Sequence, residues 1–480
     1  MLELDRVTYR YPGYARHALE AIDLAIGDGE VVGLTGPNGS GKSTLCLVAA
    51  GLAPVAIGGE LGGDVRVDGA TLRGLRPHQL AGKTGLVFAN AEAQRTRVAV
   101  TVFEEVAFGP VNLGLSVAET VARTRGAIAA VGIEELAERH PARLSGGQAQ
   151  LVAIASMLAM RPRHLVLDEP VAELDGPGRH LVGDALRALE RQGTGLLVAE
   201  HHLDVLATLA TRVAQMRDGR IERQGLPADV LGPRAEASRL ALPSASDLPA
   251  APIAIRCEGI AYDYPGGTRA LDGIDLTVRA GERVAIVGRN GSGKTTLVRT
   301  WNGLVRPTAG RVAVDGQATS GLHVAALARS VGLTFQDPDR QIFAGTCRDE
   351  VAFGARNVGL AGRELEAAVF EALDAVGLAD QATTNPYDLG PSRRRLLAHA
   401  GVLAMRTPIV VLDEPTMGLD AVERARVRSI VEALAAGGRT VVAISHDARF
   451  VRASFDRAIV LESGRVVADG PASSIVPAPA

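Results

Sequence analysis

Two stretches, "GPNGSGKS" (36–43) and "GRNGSGKT" (288–295), share the pattern G-x-x-x-x-G-K-[S/T], each between an apolar run and a helical pattern. In that setting glycines let backbone N–H groups close around phosphate oxygens at the start of a helix. Lys42 and Lys294 would bring a compact charge to β- and γ-phosphates, and Ser43 and Thr295 a hydroxyl to Mg²⁺. Only three of the 51 Lys plus Arg are Lys, at 42, 83 and 294, so two of the three occupy this slot. A guanidinium is a wide planar fork that fits such a nest poorly, and the retention of Lys points to chemistry. The candidate phosphate-binding residues are Gly36, Asn38, Gly39, Ser40, Gly41, Lys42, Ser43 and Thr44, and again Gly288, Asn290, Gly291, Ser292, Gly293, Lys294, Thr295 and Thr296.

Two further stretches, "HLVLDEP" (164–170) and "IVVLDEP" (409–415), each end an apolar strand pattern on a pair of acids. Asp168 or Asp413 can hold Mg²⁺ through water, while Glu169 or Glu414 is placed to polarise an attacking water as a general base. His201 and His446 each lie 32 residues beyond those glutamates (201 − 169 and 446 − 414), after the next apolar run, where they can contact a γ-phosphate. A lone His after a strand is more often an ordinary surface residue; the matched spacing favours a role. His202 aligns with Asp447 and reads as a bystander.

These pairs belong to an internal repeat, the first feature to seek in a long chain. "YRYPGYARHALEAIDL" (9–24) matches "YDYPGGTRALDGIDL" (262–276), and "EEVAFGPVNLGL" (104–115) matches "DEVAFGARNVGL" (349–360). The offset is 252 at the Lys pair (294 − 42) and 245 at the first acids (413 − 168), so the first copy carries extra residues between them. Domains are expected over 1–232 and 253–480, joined by a Pro/Ala/Ser-rich linker over 233–252. Within each copy, strands apolar on both faces alternate with helical patterns, as in a parallel sheet covered on both sides. The expected fold class is α/β, twice.

Composition narrows the function. At 480 residues with 47% hydrophobic and 22% charged residues, the chain is globular, and a net charge of −3 gives none of the basic excess of a nucleic-acid binder. Cys46, Cys257 and Cys347 lie far apart, without metal-ligand spacing, which suggests a reducing compartment. No run reaches the 18 or so apolar residues that span a bilayer, and the charged start "MLELDRVTYR" is no signal peptide, so a soluble cytoplasmic chain is expected.

With "LSGGQ" (144–148) placed between the phosphate loop and the acid pair, the whole chain apart from its linker resembles two ATP-binding cassette (ABC) ATPase domains in series. The resemblance implies two P-loop, RecA-like nucleotide-binding domains. Each would have a mainly parallel sheet, an antiparallel β subdomain and a helical signature subdomain. It implies ATP and Mg²⁺ as ligands, and cassettes packed head to tail, within one chain or between chains, so that each ATP lies between one phosphate loop and the other signature. Tyr11 and Tyr264 match the family's adenine-stacking aromatic, and Gln336 the residue beside Mg²⁺ and the attacking water. "FQDPDRQIF" (335–343) followed by "DEVAFG" resembles the fused ATPases of energy-coupling factor (ECF) importers, which take up vitamins, vitamin precursors or transition-metal ions. That subclass implies a place on the cytoplasmic face of the membrane, with a transmembrane coupling subunit and a small substrate-binding membrane subunit. A double-cassette ATPase of a monosaccharide importer is the nearer alternative. A soluble cassette protein acting on ribosomes or DNA is the remoter one, because the linker is short and carries no net charge.

The copies differ where composite sites would feel it. Ala89 stands where Gln336 stands, and "LGPSR" (389–393) stands where the first copy has "LSGGQ". The register is secure, since the Leu precedes its Asp-Glu pair by 24 residues in both copies (168 − 144 and 413 − 389). Pro391 removes an N–H, Gly390 removes the hydroxyl, and Arg393 restores charge without that geometry. Both losses fall on one ATP. The other site keeps Tyr264, Lys294, Thr295, Gln336, Asp413, Glu414 and His446, with Ser145, Gly146, Gly147, Gln148 and Asp175 from the first copy. One hydrolytic site and one that mainly holds ATP are expected, with Glu169 and His201 leaving slow turnover open in the second.

Overall fold

The protein is described by a computed structural model covering residues 1–172, 174, 176–231, 251–265 and 267–477. It divides into two compact units, Met1–Ala235 and Glu236–Ala480. The linker expected over 233–252 lies, but for Ala251 and Pro252, outside the described residues.

In the first unit a six-stranded sheet runs in the order Arg220–Gly225, Arg212–Arg217, Val31–Thr35, Gly195–Ala199, His164–Asp168, Thr84–Val87. Only the edge pair of Arg220–Gly225 with Arg212–Arg217 is antiparallel. Val31–Thr35 and Gly195–Ala199 are buried at every position, which is why they read as continuous apolar runs. A second, antiparallel sheet joins Leu19–Ile26, Leu2–Arg10, Glu60–Val67 and Ala70–Thr71. Helices Val102–Asn112, Val117–Ala130 and Gly146–Leu158 form a separate layer whose core includes Val106, Ile128 and Leu151.

The second unit repeats this plan. Its six-stranded sheet is ordered Val331–Thr334, Ile409–Asp413, Thr440–Ile444, Arg283–Val287, Arg457–Glu462, Arg465–Pro471, and its antiparallel sheet is built on Ile253–Asp263 and Arg269–Arg279. Helices Cys347–Asn357, Gly362–Ala375 and Pro391–Ala404 make the helical layer. The fold class is the one expected: two P-loop α/β domains, each with an antiparallel sheet and a helical layer.

Parallel order places function. In each unit the strand that leads to the late His lies between the phosphate-loop strand and the acid-pair strand, and all three run parallel with their carboxyl ends at one edge, so the loop, the acid pair and the late His converge there.

Candidate functional site

In the second unit, strand Arg283–Val287 runs into a loop that turns into helix Lys294–Trp301. The turn depends on Gly288, whose φ is 149°; a Cβ there would stand 2.2 Å from the Leu461 carbonyl oxygen. Lys294 Nζ donates to the carbonyls of Gly288 (2.6 Å) and Arg289 (2.8 Å), so its ammonium spans the mouth of the loop. Thr295 Oγ1 donates to Asp413 Oδ2 at 2.9 Å, while Asp413 Oδ1 is buried with no hydrogen-bond partner among the described residues. Ser292 Oγ is a second buried oxygen without a hydrogen-bond partner among the described residues. A hard cation taking oxygen ligands fits this pair: Thr295 and Asp413 would hold Mg²⁺, which when bound supplies charge neutralisation at phosphate oxygens.

Glu414 follows Asp413 with φ 49°, a left-handed conformation unusual for Glu, and its N–H donates to the Ile444 carbonyl at 2.9 Å. Its Oε1 lies 3.2 Å from His446 Nε2, which also meets Asn290 Oδ1 at 3.0 Å. Burial, then the charge of Asp413, pushes the Glu414 carboxyl upward; burial likewise raises Asp413. Glu414, His446, Asn290, Asp413, Thr295 and Lys294 therefore form one cluster. Tyr264 is 41% exposed and its hydroxyl meets Thr296 Oγ1 at 2.9 Å, at the start of the same helix. The Gln336 side chain is exposed and has no hydrogen-bond partner among the described residues; its carbonyl accepts from Arg395.

The first unit assembles the same parts with matching contacts. Lys42 Nζ donates to the carbonyls of Gly36 (3.0 Å) and Pro37 (3.1 Å), and Ser43 Oγ donates to Asp168 Oδ1 at 3.2 Å. The Tyr11 hydroxyl meets Thr44 Oγ1 at 3.1 Å, and Ser40 Oγ is buried without a hydrogen-bond partner among the described residues. Ser43 and Asp168 could hold Mg²⁺ in the same way. His201 Nε2 lies 3.0 Å from Glu169 Oε1. Burial pushes Glu169 up, but that contact and the charge of His201 carry it below the usual range, whereas burial and Glu169 push Asp168 to about 6. Ala89 offers no polar group where the second unit has Gln336.

The two signature helices also differ. In helix Gly146–Leu158, Ser145 Oγ accepts from Gln148 N–H (3.4 Å) and Gln148 Oε1 from Ser145 N–H (3.1 Å), a capping box that leaves Ser145 and Gly146 exposed. Gly147 packs on backbone, since a Cβ there would stand 3.0 Å from Gly178 Cα. In the second unit Gly390 caps helix Pro391–Ala404 with no side chain, and Pro391 is its first residue. Ser392 and Glu423, the counterparts of Gly147 and Gly178, are hydrogen-bonded at 3.0 Å, and Arg393 is exposed. The departure from LSGGQ is thus a repacked helix start. Asp175 lies outside the described residues.

Three features escaped the sequence reading. Glu200, where the second unit has Ser445, is fully buried and accepts from the N–H groups of His201 (2.8 Å) and His202 (3.0 Å); burial and Glu169 push it to about 7. Arg395 and His399 replace Gln150 and Ile154, and reach the backbone beside Glu414. The signal was present as polar-for-apolar differences at a fixed offset, but a buried polar residue looks like any other until its partner is seen.

The ABC transporter family model matches residues 19–172 and 271–417, the first spanning Lys42 to Glu169 and the second Lys294 to Glu414. The chain belongs to the ABC transporter family. Its two cassettes make it an ATPase that works on ATP with Mg²⁺. An ABC transporter ATP-binding protein of Methanosarcina acetivorans is 37% identical over 480 residues, covering 98% of this chain and 90% of the relative. A namesake from Caldanaerobacter subterraneus is 34% identical over 511 residues, covering 96% and 89%. Both cassettes therefore have counterparts in single chains. The ribosome-bound archaeal Pelota and ABCE1 assembly contains a chain matched with a TM-score of 0.69 at 22% identity, over 98% of this chain and 79% of that one, a likeness of fold.

Proposed function

We propose that this ABC ATPase is the energising subunit of an ECF-type importer for a vitamin, a vitamin precursor or a transition-metal ion, working at the cytoplasmic face of the membrane. The observation that carries the reading is an exposed aromatic pair. Phe343 ends "FQDPDRQIF" and Phe353 lies in "DEVAFG", and the two rings meet edge to face at 4.7 Å while 60% and 47% exposed. The two segments that mark the subclass thus present one apolar surface, suited to a helix of a membrane partner. In the first cassette the matching region holds a cavity of about 530 Å³ lined by Leu52, Phe88, Gln94, Phe108, Met157 and Met160. Gln94 is held there by the Phe88 N–H and the Leu86 carbonyl. No helix among the described residues is long and apolar enough to cross a membrane.

Hydrolysis is assigned to the site built from Tyr264, Lys294, Thr295, Gln336, Asp413, Glu414 and His446, completed by Ser145, Gly146, Gly147 and Gln148 of the other cassette. The site with Ala89 and the LGPSR helix mainly holds ATP. Affinity purification of the full chain from its own membranes tests the assembly. A transmembrane coupling protein and a small substrate-binding membrane protein are expected in the eluate; a sugar permease, or ribosomes, would overturn the reading.

A further inference from the structure

The signature helix of the second cassette, Pro391–Ala404, carries two buried polar side chains. Arg395, 8% exposed, lies four residues into it, and its Nη1 donates to the carbonyls of Gln336 (2.7 Å) and Glu414 (3.3 Å). One turn further on, His399 is 3% exposed and its Nε2 meets the Pro415 carbonyl at 3.2 Å. A carbonyl only accepts, so Nε2 carries the proton; Nδ1 is buried with no hydrogen-bond partner among the described residues, as suits a neutral ring. Burial is what pushes this imidazole down, to about 4.

These two side chains hold consecutive carbonyls of a strained segment. Glu414 sits at φ 49°, a left-handed conformation that persists only where its surroundings impose it. In the first cassette Glu169 is equally strained, at φ 50°, but the helix gives it no such hold. Gln150 donates to the Phe88 carbonyl at 3.2 Å, and Ile154 has no donor to offer.

We infer that Arg395 and His399 form a backbone clamp that positions Glu414, with Gln336 tied to the same guanidinium. They are positioning residues for hydrolysis in the second cassette, absent from the first. Because the clamp rises from the helix that begins Gly390-Pro391-Ser392, it also ties the degenerate signature of this cassette to its own hydrolytic base. A change at the start of the helix would then be felt at Glu414.

The inference rests on Glu414 being the hydrolytic base, and the test separates the two. ATP hydrolysis is measured on the full chain with its membrane partners for Arg395→Gln, His399→Ile and Glu414→Gln, the first two placing the first cassette's residues in the second. Arg395→Gln is expected to lower kcat at least tenfold with KM for ATP within twofold of the parent, and His399→Ile to lower kcat about threefold, again at unchanged KM. A merely structural role would lower the amount of folded protein or move both constants. Parent-like kcat in Arg395→Gln overturns the inference while Glu414→Gln remains inactive; parent-like activity in Glu414→Gln overturns the underlying assignment instead. Should Arg395→Gln fail to fold, His399→Ile decides: reduced kcat at unchanged KM supports the clamp, and parent-like kcat overturns it.

Discussion

Glu414→Gln is expected to lower ATP hydrolysis by the assembled transporter at least a hundredfold, while Glu169→Gln leaves more than half of it. The change keeps the shape of the side chain and removes its capacity to take a proton, the contribution a positioned base makes, typically 10²–10⁴-fold. The two glutamates share their strained backbone and their histidines, at 3.2 Å for Glu414–His446 and 3.0 Å for Glu169–His201. They differ in what surrounds them. Glu414 has Gln336 nearby, tied to it through Arg395, whereas the first cassette has Ala89. The signature helices differ too, one starting on a capping box and the other on a proline. Steady-state phosphate release on the three proteins at saturating Mg·ATP measures this.

Gly288→Ala is expected to unfold the phosphate loop of the second cassette and abolish nucleotide binding there. The new methyl would lie 2.2 Å from the Leu461 carbonyl oxygen and 2.9 Å from Ser292 Oγ, at φ 149°, where an L-residue is strained in any case. Neither obstacle can move cheaply: one is backbone in the adjoining strand, the other is the buried hydroxyl of the loop itself. A loss beyond about 4 kcal/mol is the scale for such a clash. Gly291→Ala provides the contrast. Gly291 has φ 79° but nothing within 4 Å of its missing Cβ, so only the left-handed backbone is penalised, by about 1–2 kcal/mol. Thermal unfolding should separate the two variants widely, with Gly291→Ala close to the parent.

Most of the fold was legible because its cues are local. Buried parallel strands read as unbroken apolar runs, phosphate loops carry glycines at fixed places, and the repeat supplied each assignment twice. The convergence of Lys294, Thr295, Asp413, Glu414 and His446 follows from strand order alone once those runs are read as parallel. What the sequence hid depends on contacts between distant residues. "LGPSR" reads as decay until Ser392 is seen bonded to Glu423, at the two positions where the first cassette packs Gly147 on Gly178. Arg395 reads as a basic residue in an arginine-rich run, and only the fold turns it inward onto two carbonyls. Glu200 looks like an acid beside two histidines; its full burial against Glu169 is a property of the sheet edge.

The direct test of inequality between the two sites is a count of nucleotides. The full chain with its membrane partners, loaded with two ATP per chain, is started with Mg²⁺ and quenched in acid over a single turnover. A fast phase that yields one ADP per chain, while the second nucleotide remains ATP, is expected. Two ADP per chain in the same phase would contradict that inequality.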